Sequence, residues 1–223
     1  STTQDFPYDI TSFSFSFLTG SPMLFTYAGL IVAAVLYEEE HKNGNLKNAV
    51  AFGISREKLF LGKCITAVLT ATVLMGLVLT VYIGSACFLL EHTGPTSLKI
   101  ISTEVPAVYG TAVGSMILGI AFLSYFQNEV MAAMLWVVII DAIPRVLLLV
   151  GMFLQEQWGI EFLWDFAQLL PANLFQFGAD VNMSHCEVLW KTSQGMTKCV
   201  IVGIVETVLA IVAGIVMLRK KEV

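Results

Sequence analysis

Three charged residues, Asp141, Arg145 and Glu206, stand inside long runs of apolar side chains. A charge at the centre of a bilayer costs at least about 2.5–3.5 kcal/mol on insertion scales, so each needs a partner. Asp141 and Arg145 are four residues apart, a spacing that puts them on one face of a helix. Counted at a helical rise of about 1.5 Å per residue, Glu206 falls at nearly the same depth as Asp141. If their two segments pack together, the three form an intramembrane charge cluster. Such a cluster either fixes helix packing or lines a path for a polar cargo. Pro144 lies between Asp141 and Arg145 and lacks a backbone donor, so it can kink the helix.

Other residues with chemical potential lead nowhere catalytic. His41, His92 and His185 are isolated and flank the apolar runs, so no metal cluster is expected. Ser115 has no histidine beside it to activate it as a nucleophile. Gly62-Lys63 is followed by Cys64 and lacks the rest of a Gly-x-x-x-x-Gly-Lys-Ser/Thr phosphate loop. The cysteines Cys64, Cys87, Cys186 and Cys199 form no CxxC pair and read as buried thiols, with a Cys186–Cys199 bridge left as the alternative. No catalytic residue, metal or cofactor is expected in this chain.

The elements that carry these residues follow from composition. Of 223 residues, 57% are hydrophobic and 13% charged, whereas soluble domains average about 45–50% and 25%. So few charges cannot coat a soluble globule, which excludes a cytosolic enzyme, a disordered tail and a small disulfide scaffold. A net charge of −5 gives no reason to expect a nucleic-acid partner. What remains is an all-α polytopic membrane bundle, read as one domain over residues 1–223. A span needs about 20 mostly apolar residues. Five stretches qualify, at about 17–37, 59–90, 107–126, 130–153 and 199–218. They read as helices because lipid offers no partner to open backbone groups. The chain opens at Ser1 without a signal peptide, which reads as a processed or trimmed end.

Basic residues set the expected orientation. Lys42, Lys47, Arg56, Lys58 and Lys63 follow the first span, and Arg219, Lys220 and Lys221 close the chain. The cytoplasmic side carries the Lys/Arg excess, so the N-terminus is expected outside and the C-terminus inside, in the cell membrane. Phe13, Phe15 and Phe17 alternate with serine and suit either an aromatic anchor in the outer interface or a short strand. The second run exceeds a level span and must tilt or extend into the cytoplasm. In the outer loop, residues 155–198, the aromatic segment from Trp158 to Pro171 is too short to span. It reads as an interfacial or re-entrant helix, or as a cap packed on the spans, with Pro171 as its stop. Gly110, Gly114 and Gly119 in the third span are spaced for close helix approach.

The cytoplasmic loop, residues 38–58, is the most informative stretch. Leu46, Ala49, Val50, Gly53 and Ile54 form one apolar stripe at helical spacing. Ser55 can cap the helix that follows. A short amphipathic helix across the inner membrane face results. It either packs on its own spans or docks a cytoplasmic partner.

The same loop resembles the first cytoplasmic loop of type-2 ABC exporter permeases of the bacteriocin-immunity or drug-export kind. Glu40, Gly44, Leu46, Gly53, Ile54, Ser55, Arg56 and Lys63 occupy the positions of that family's acidic residue, Gly-x-Leu, Pro/Gly-hydrophobic-Ser-Arg and following lysine. The ending Met217-Leu-Arg-Lys-Lys-Glu-Val223 and the long outer loop before the last span are similar as well. Gly53 stands where proline is commoner, and five spans stand where the family has six. The first span would then be absent from this sequence, or the chain is a shortened relative. The resemblance implies a permease with no ATPase chemistry of its own, exporting an amphipathic peptide, lipid or drug. It also implies a separate ATP-binding subunit that carries ATP and Mg, a second permease chain, and surrounding lipid. Glu40, Gly44, Leu46, Val50, Gly53, Ile54, Ser55 and Arg56 would couple the spans to the ATPase. The competing expectation is a non-transporting membrane scaffold or regulatory subunit that docks a cytoplasmic sensor.

Overall fold

In the computed structural model, residues 11–43, 54–93, 105–126, 128–177, 179–181, 186–188 and 193–220 are described, with Leu98 and Ser102. The chain opens with helix α1, Thr11–Ser16, and a 3-10 turn, Phe17–Gly20, that feeds α2, Ser21–Asn43. The alternating phenylalanines thus adopt a helix rather than a strand. Helical spacing brings Phe13 and Phe17 edge to face, with ring centroids 5.1 Å apart. Phe15 and Leu18 are buried in a small cluster with Ala86.

Helix α3, Arg56–Leu89, has 34 residues, roughly 51 Å at 1.5 Å per residue. That exceeds the ~30 Å hydrocarbon core, as the length of the apolar run required. Ser55 caps it in extended geometry, its side chain accepting from Lys58 N at 3.4 Å. At the far end α1 is tied down. Tyr82 donates to Ser14 O at 2.9 Å, and Thr11 N donates to Glu91 O at 2.9 Å.

Helix α4, Tyr109–Tyr125, follows a 3-10 turn, Val105–Val108, and is the central rod, buried on most of its faces. Small residues make this possible, since packing between apolar helices in lipid depends on close backbone approach. The last helix, α9, Ser193–Lys220, lies along it. A Cβ on Gly110 would come within 3.2 Å of Gly203 Cα, and one on Gly114 within 2.9 Å of Thr207 N. Thr207 reinforces the contact by donating to Gly110 O at 3.0 Å. Gly119 is filled from the other side by Leu30 and Trp136. The glycine spacing therefore marks real close approaches.

Helix α5, Glu129–Val137, is capped by Asn128, whose side chain accepts from Val130 N at 3.0 Å and Met131 N at 3.3 Å. It continues through a π-turn, Val138–Ala142, into α6, Ile143–Trp158. In that turn Ile143 N–H bonds to Val138 O, five residues back. The wide turn comes immediately before Pro144, whose ring would crowd a regular helix and which supplies no N–H. Helix α6 ends at Gly159 in the left-handed region, φ 68°.

The chain then doubles back. Helix α7, Phe162–Gln168, packs along α6, with the Trp164 backbone where a Cβ on Gly151 would sit. Pro171 does not simply stop a helix. Helix α7 has already ended at Gln168, and Pro171 opens α8, Pro171–Phe177. Proline suits a first turn because the donor it lacks would have no partner there. The first five residues of α8 are buried. A short antiparallel hairpin follows, β1 Ala179–Val181 with β2 Cys186–Val188, before α9. Cys199, near the start of α9, is a buried free thiol, so the Cys186–Cys199 bridge is not made.

The architecture is an all-α polytopic membrane bundle. Four helical stretches are long and apolar enough to cross a bilayer: Arg56–Leu89, Pro106–Tyr125, Glu129–Trp158 and Gly195–Lys220. Helix α2 contributes a shorter apolar stretch, Ser21–Val35, at the first of the five expected positions.

Candidate functional site

The structure divides the expected charge cluster in two. Arg145 reaches back one helical turn to Asp141, with Nε and Nη2 at 3.0 and 2.7 Å from the same oxygen, Oδ1. The pair sits on the π-turn and first turn of α6, with Arg145 45% and Asp141 21% exposed. Exposure here lies along a helix of spanning length, so mutual pairing is what makes these charges tolerable.

Glu206 is elsewhere. Its helix packs on α4 rather than on α5 and α6, so its carboxyl meets Thr111 instead of Arg145. The close glycine contacts decide this, because Gly110, Gly114 and Gly203 draw α9 onto α4 at this level. Glu206 Oε2 and Thr111 Oγ1 are both buried, and neither has a hydrogen-bond partner among the described residues. The fourth and fifth spans thus do not bring the three charges together. Length counting gave a common depth but not the azimuth.

The residue that organises the π-turn, Asn173, gave little sign in the sequence. It is fully buried on α8, and its Nδ2 donates to Pro144 O and Ala167 O, both at 2.7 Å. The only available signal was one amide among apolar neighbours in Leu-Leu-Pro-Ala-Asn-Leu-Phe. Pro144 lies fourteen residues before Trp158, roughly 21 Å back along the helix. The segment after α6 therefore runs back along it, packed on its side, and does not lie flat across its end. Trp136 is likewise buried, donating from Nε1 to Ser115 O at 2.7 Å. Tyr27 meets its ring edge to face, with centroids 5.3 Å apart.

Apart from these contacts lies the base of α3. Ile54 and Ser55 are exposed, and Arg56 opens the helix. Arg219 Nε lies 2.6 Å from Glu57 Oε1 and ties α9 to α3. The sequence offers Arg219 only as a basic residue that sets orientation, and its pairing with Glu57 is not legible there. Glu40 belongs to the last part of α2. Gly44, Leu46, Val50 and Gly53 lie outside the described residues, so the stripe they form keeps its standing as a sequence expectation.

None of these places assembles a nucleophile with a base. Among the described residues, no group of three or more His, Cys, Asp or Glu comes together that could hold a metal ion. What the bundle offers is a tightly packed pair of helices, a broken helix carrying an ion pair, and an exposed base where the loop between α2 and α3 enters.

Comparison with known proteins adds one finding. A family model described as ABC-2 family transporter protein matches residues 1–143. No curated protein and no solved structure matches. The matched part runs from the N-terminus through the loop after α2, α3 and α4, and ends in the first residue of α6. It covers 143 of 223 residues, and with the four bilayer-length helices it establishes that the chain belongs to the ABC-2 family of membrane transporter proteins.

Proposed function

We propose that the chain is the permease subunit of an ATP-driven exporter. A separate ATPase subunit binds ATP and Mg, and a second permease chain completes the pathway. The observation that carries this reading is the family match over residues 1–143, which contains the whole loop between α2 and α3. In this reading the amphipathic helix of Leu46, Val50 and Ile54 docks into the ATPase, with Glu40, Gly44, Gly53, Ser55 and Arg56 shaping its ends. The orientation follows from the basic residues around the loop and at Arg219–Lys221, which the positive-inside rule puts in the cytoplasm.

The cargo is amphipathic: a peptide, lipid or drug. Long helices with exposed apolar faces and the Asp141–Arg145 pair suit a molecule with an apolar body and a polar end. Nucleotide binding would draw the ATPases together and move the docked loop, and α3 would carry that motion upward as a rigid rod.

The test is expression in the native membrane, purification of the chain with whatever cytoplasmic subunit it retains, and reconstitution of that complex. Co-purification of an ATPase chain at equal ratio is expected, with ATP-dependent transport. Leu46→Asp or Val50→Asp should leave the bundle folded while ATP hydrolysis loses its link to transport. Unchanged transport in both variants, or a kinase as the only cytoplasmic partner, would reject the reading.

A further inference from the structure

We propose that the crevice at Gly76, between α2, α3 and α4, holds one acyl chain of a bilayer phospholipid. The crevice has a volume of about 180 Å³. Its apolar walls are Pro22 and Phe25 of α2, Met75, Gly76 and Leu79 of α3, and Ala112 of α4. Gly76 is exposed, and a Cβ built on it would meet nothing within 4 Å. The missing side chain is therefore not filled by any part of the described protein.

Two of the three hydroxyls at the crevice, those of Thr72 and Tyr109, are already committed. Thr72 Oγ1 donates its single proton to Val68 O at 2.6 Å. The 2.6 Å contact between Thr72 Oγ1 and Tyr109 Oη must then carry the tyrosine proton. The Thr72–Tyr109 pair has no donor left for a ligand. Apart from these two and the buried Ser21, the lining is hydrocarbon or thioether. An ordered water needs two to four polar partners, which such walls do not supply.

Position supplies the remaining argument. Gly76 is twenty residues beyond Arg56, and thirteen more reach Leu89. It therefore stands roughly 30 Å from one end of α3 and 20 Å from the other, deep within a helix longer than the bilayer core. On the same helix Leu69, Val73 and Leu77 are each more than 60% exposed. At that depth the medium is acyl chain. A narrow apolar slot that excludes water and is open at a glycine takes a straight hydrocarbon segment, which fills it without any unpaired polar atom. This inference does not depend on the docking of an ATPase.

The experiment uses the full chain in phosphatidylcholine vesicles doped with a phosphatidylcholine that carries a mid-chain diazirine. After illumination, the label is expected on the peptides containing Phe25 and Met75, above the level found elsewhere on α3. Gly76→Phe fills the slot and should reduce that labelling several-fold. Gly84→Phe, at another glycine of α3 whose Cβ position is open, should leave it unchanged. With the unaltered chain, excess straight-chain phospholipid should compete for the label and a methyl-branched analogue should not. Labelling at Phe25 and Met75 that is indifferent both to Gly76→Phe and to chain branching would overturn the proposal. So would a Gly76→Cys chain that cross-links efficiently to a second protein chain, since the slot would then be a protein contact.

Discussion

Arg219 Nε and Glu57 Oε1 lie 2.6 Å apart, joining residues 162 positions distant in sequence. One is in the last turn of α9 and the other in the first turn of α3, two residues after the cap Ser55. Both side chains are substantially exposed, at 68% and 39%, so the contact contributes little to stability and weakens with salt. Its value is positional, because it ties the helix that follows the loop after α2 to the helix packed on the central rod. Glu57→Arg or Arg219→Glu alone is expected to lower transport per ATP hydrolysed several-fold in the reconstituted complex, with little change in melting temperature. The double reversal should restore it. A reversal that restores nothing would remove this pair as a link between the two helices.

The contact between α4 and α9 is set by backbone approaching backbone. A Cβ on Gly203 would come within 2.8 Å of Thr111 N and 2.9 Å of Gly110 C. Backbone atoms cannot rotate away, so Gly203→Ala and Gly114→Ala must push the helices apart. Overpacking of this kind costs about 1–3 kcal/mol. At Gly84 the Cβ position is open, and Gly84→Ala is expected to be neutral or stabilising by up to ~1 kcal/mol through helix propensity. Thermal unfolding in detergent separates the two classes. Equal melting temperatures for Gly203→Ala and Gly84→Ala would contradict the packing.

How far the sequence could reach is visible in these residues. Long uncharged runs and the Gly110/Gly114 spacing identified the helices and one close contact, because each depends on local composition. The Asp141–Arg145 pair was legible for the same reason, since both partners sit on one helix. Glu206 was misplaced because depth along a helix can be counted, while the face it presents depends on which neighbour the glycines admit. Asn173, Glu57 and Arg219 act across the fold, and nothing in their own segments announces the partner. The segment from Trp158 to Pro171 could be given as apolar but not as running back along α6, which follows from the turn at Gly159 and the bare face at Gly151.

Asn173 holds the returning arm to the broken helix through two carbonyls, Pro144 O and Ala167 O. Asn173→Ala removes both hydrogen bonds, each contributing about 0.5–1.5 kcal/mol net, while Ala167 O keeps its bond from Leu170 N. Asn173→Asp should be worse than alanine, because an ionised carboxylate placed 2.7 Å from two carbonyl oxygens can donate to neither. Melting temperatures in the order Asn, Ala, Asp from highest to lowest are expected. An aspartate variant as stable as the unaltered chain would show that the amide does not hold the arm.

The separation of Glu206 from Arg145 makes a distinct prediction about coupling. Neutralising one member of the Asp141–Arg145 pair strands the other, at about 2.5–3.5 kcal/mol for a lone charge at the centre of a helix in lipid. Arg145→Gln and Asp141→Asn should each destabilise the chain, and the double variant should be milder than either. Glu206→Gln behaves differently, because a neutral amide can still face Thr111 across the α4–α9 contact. Residues without shared partners combine additively within about 0.3–0.5 kcal/mol, so Glu206→Gln with Arg145→Gln should equal the sum of the two. A three-way cycle in detergent measures this directly. Strong non-additivity between Glu206 and Arg145 would return the two to a single cluster and require α9 to lie against α6.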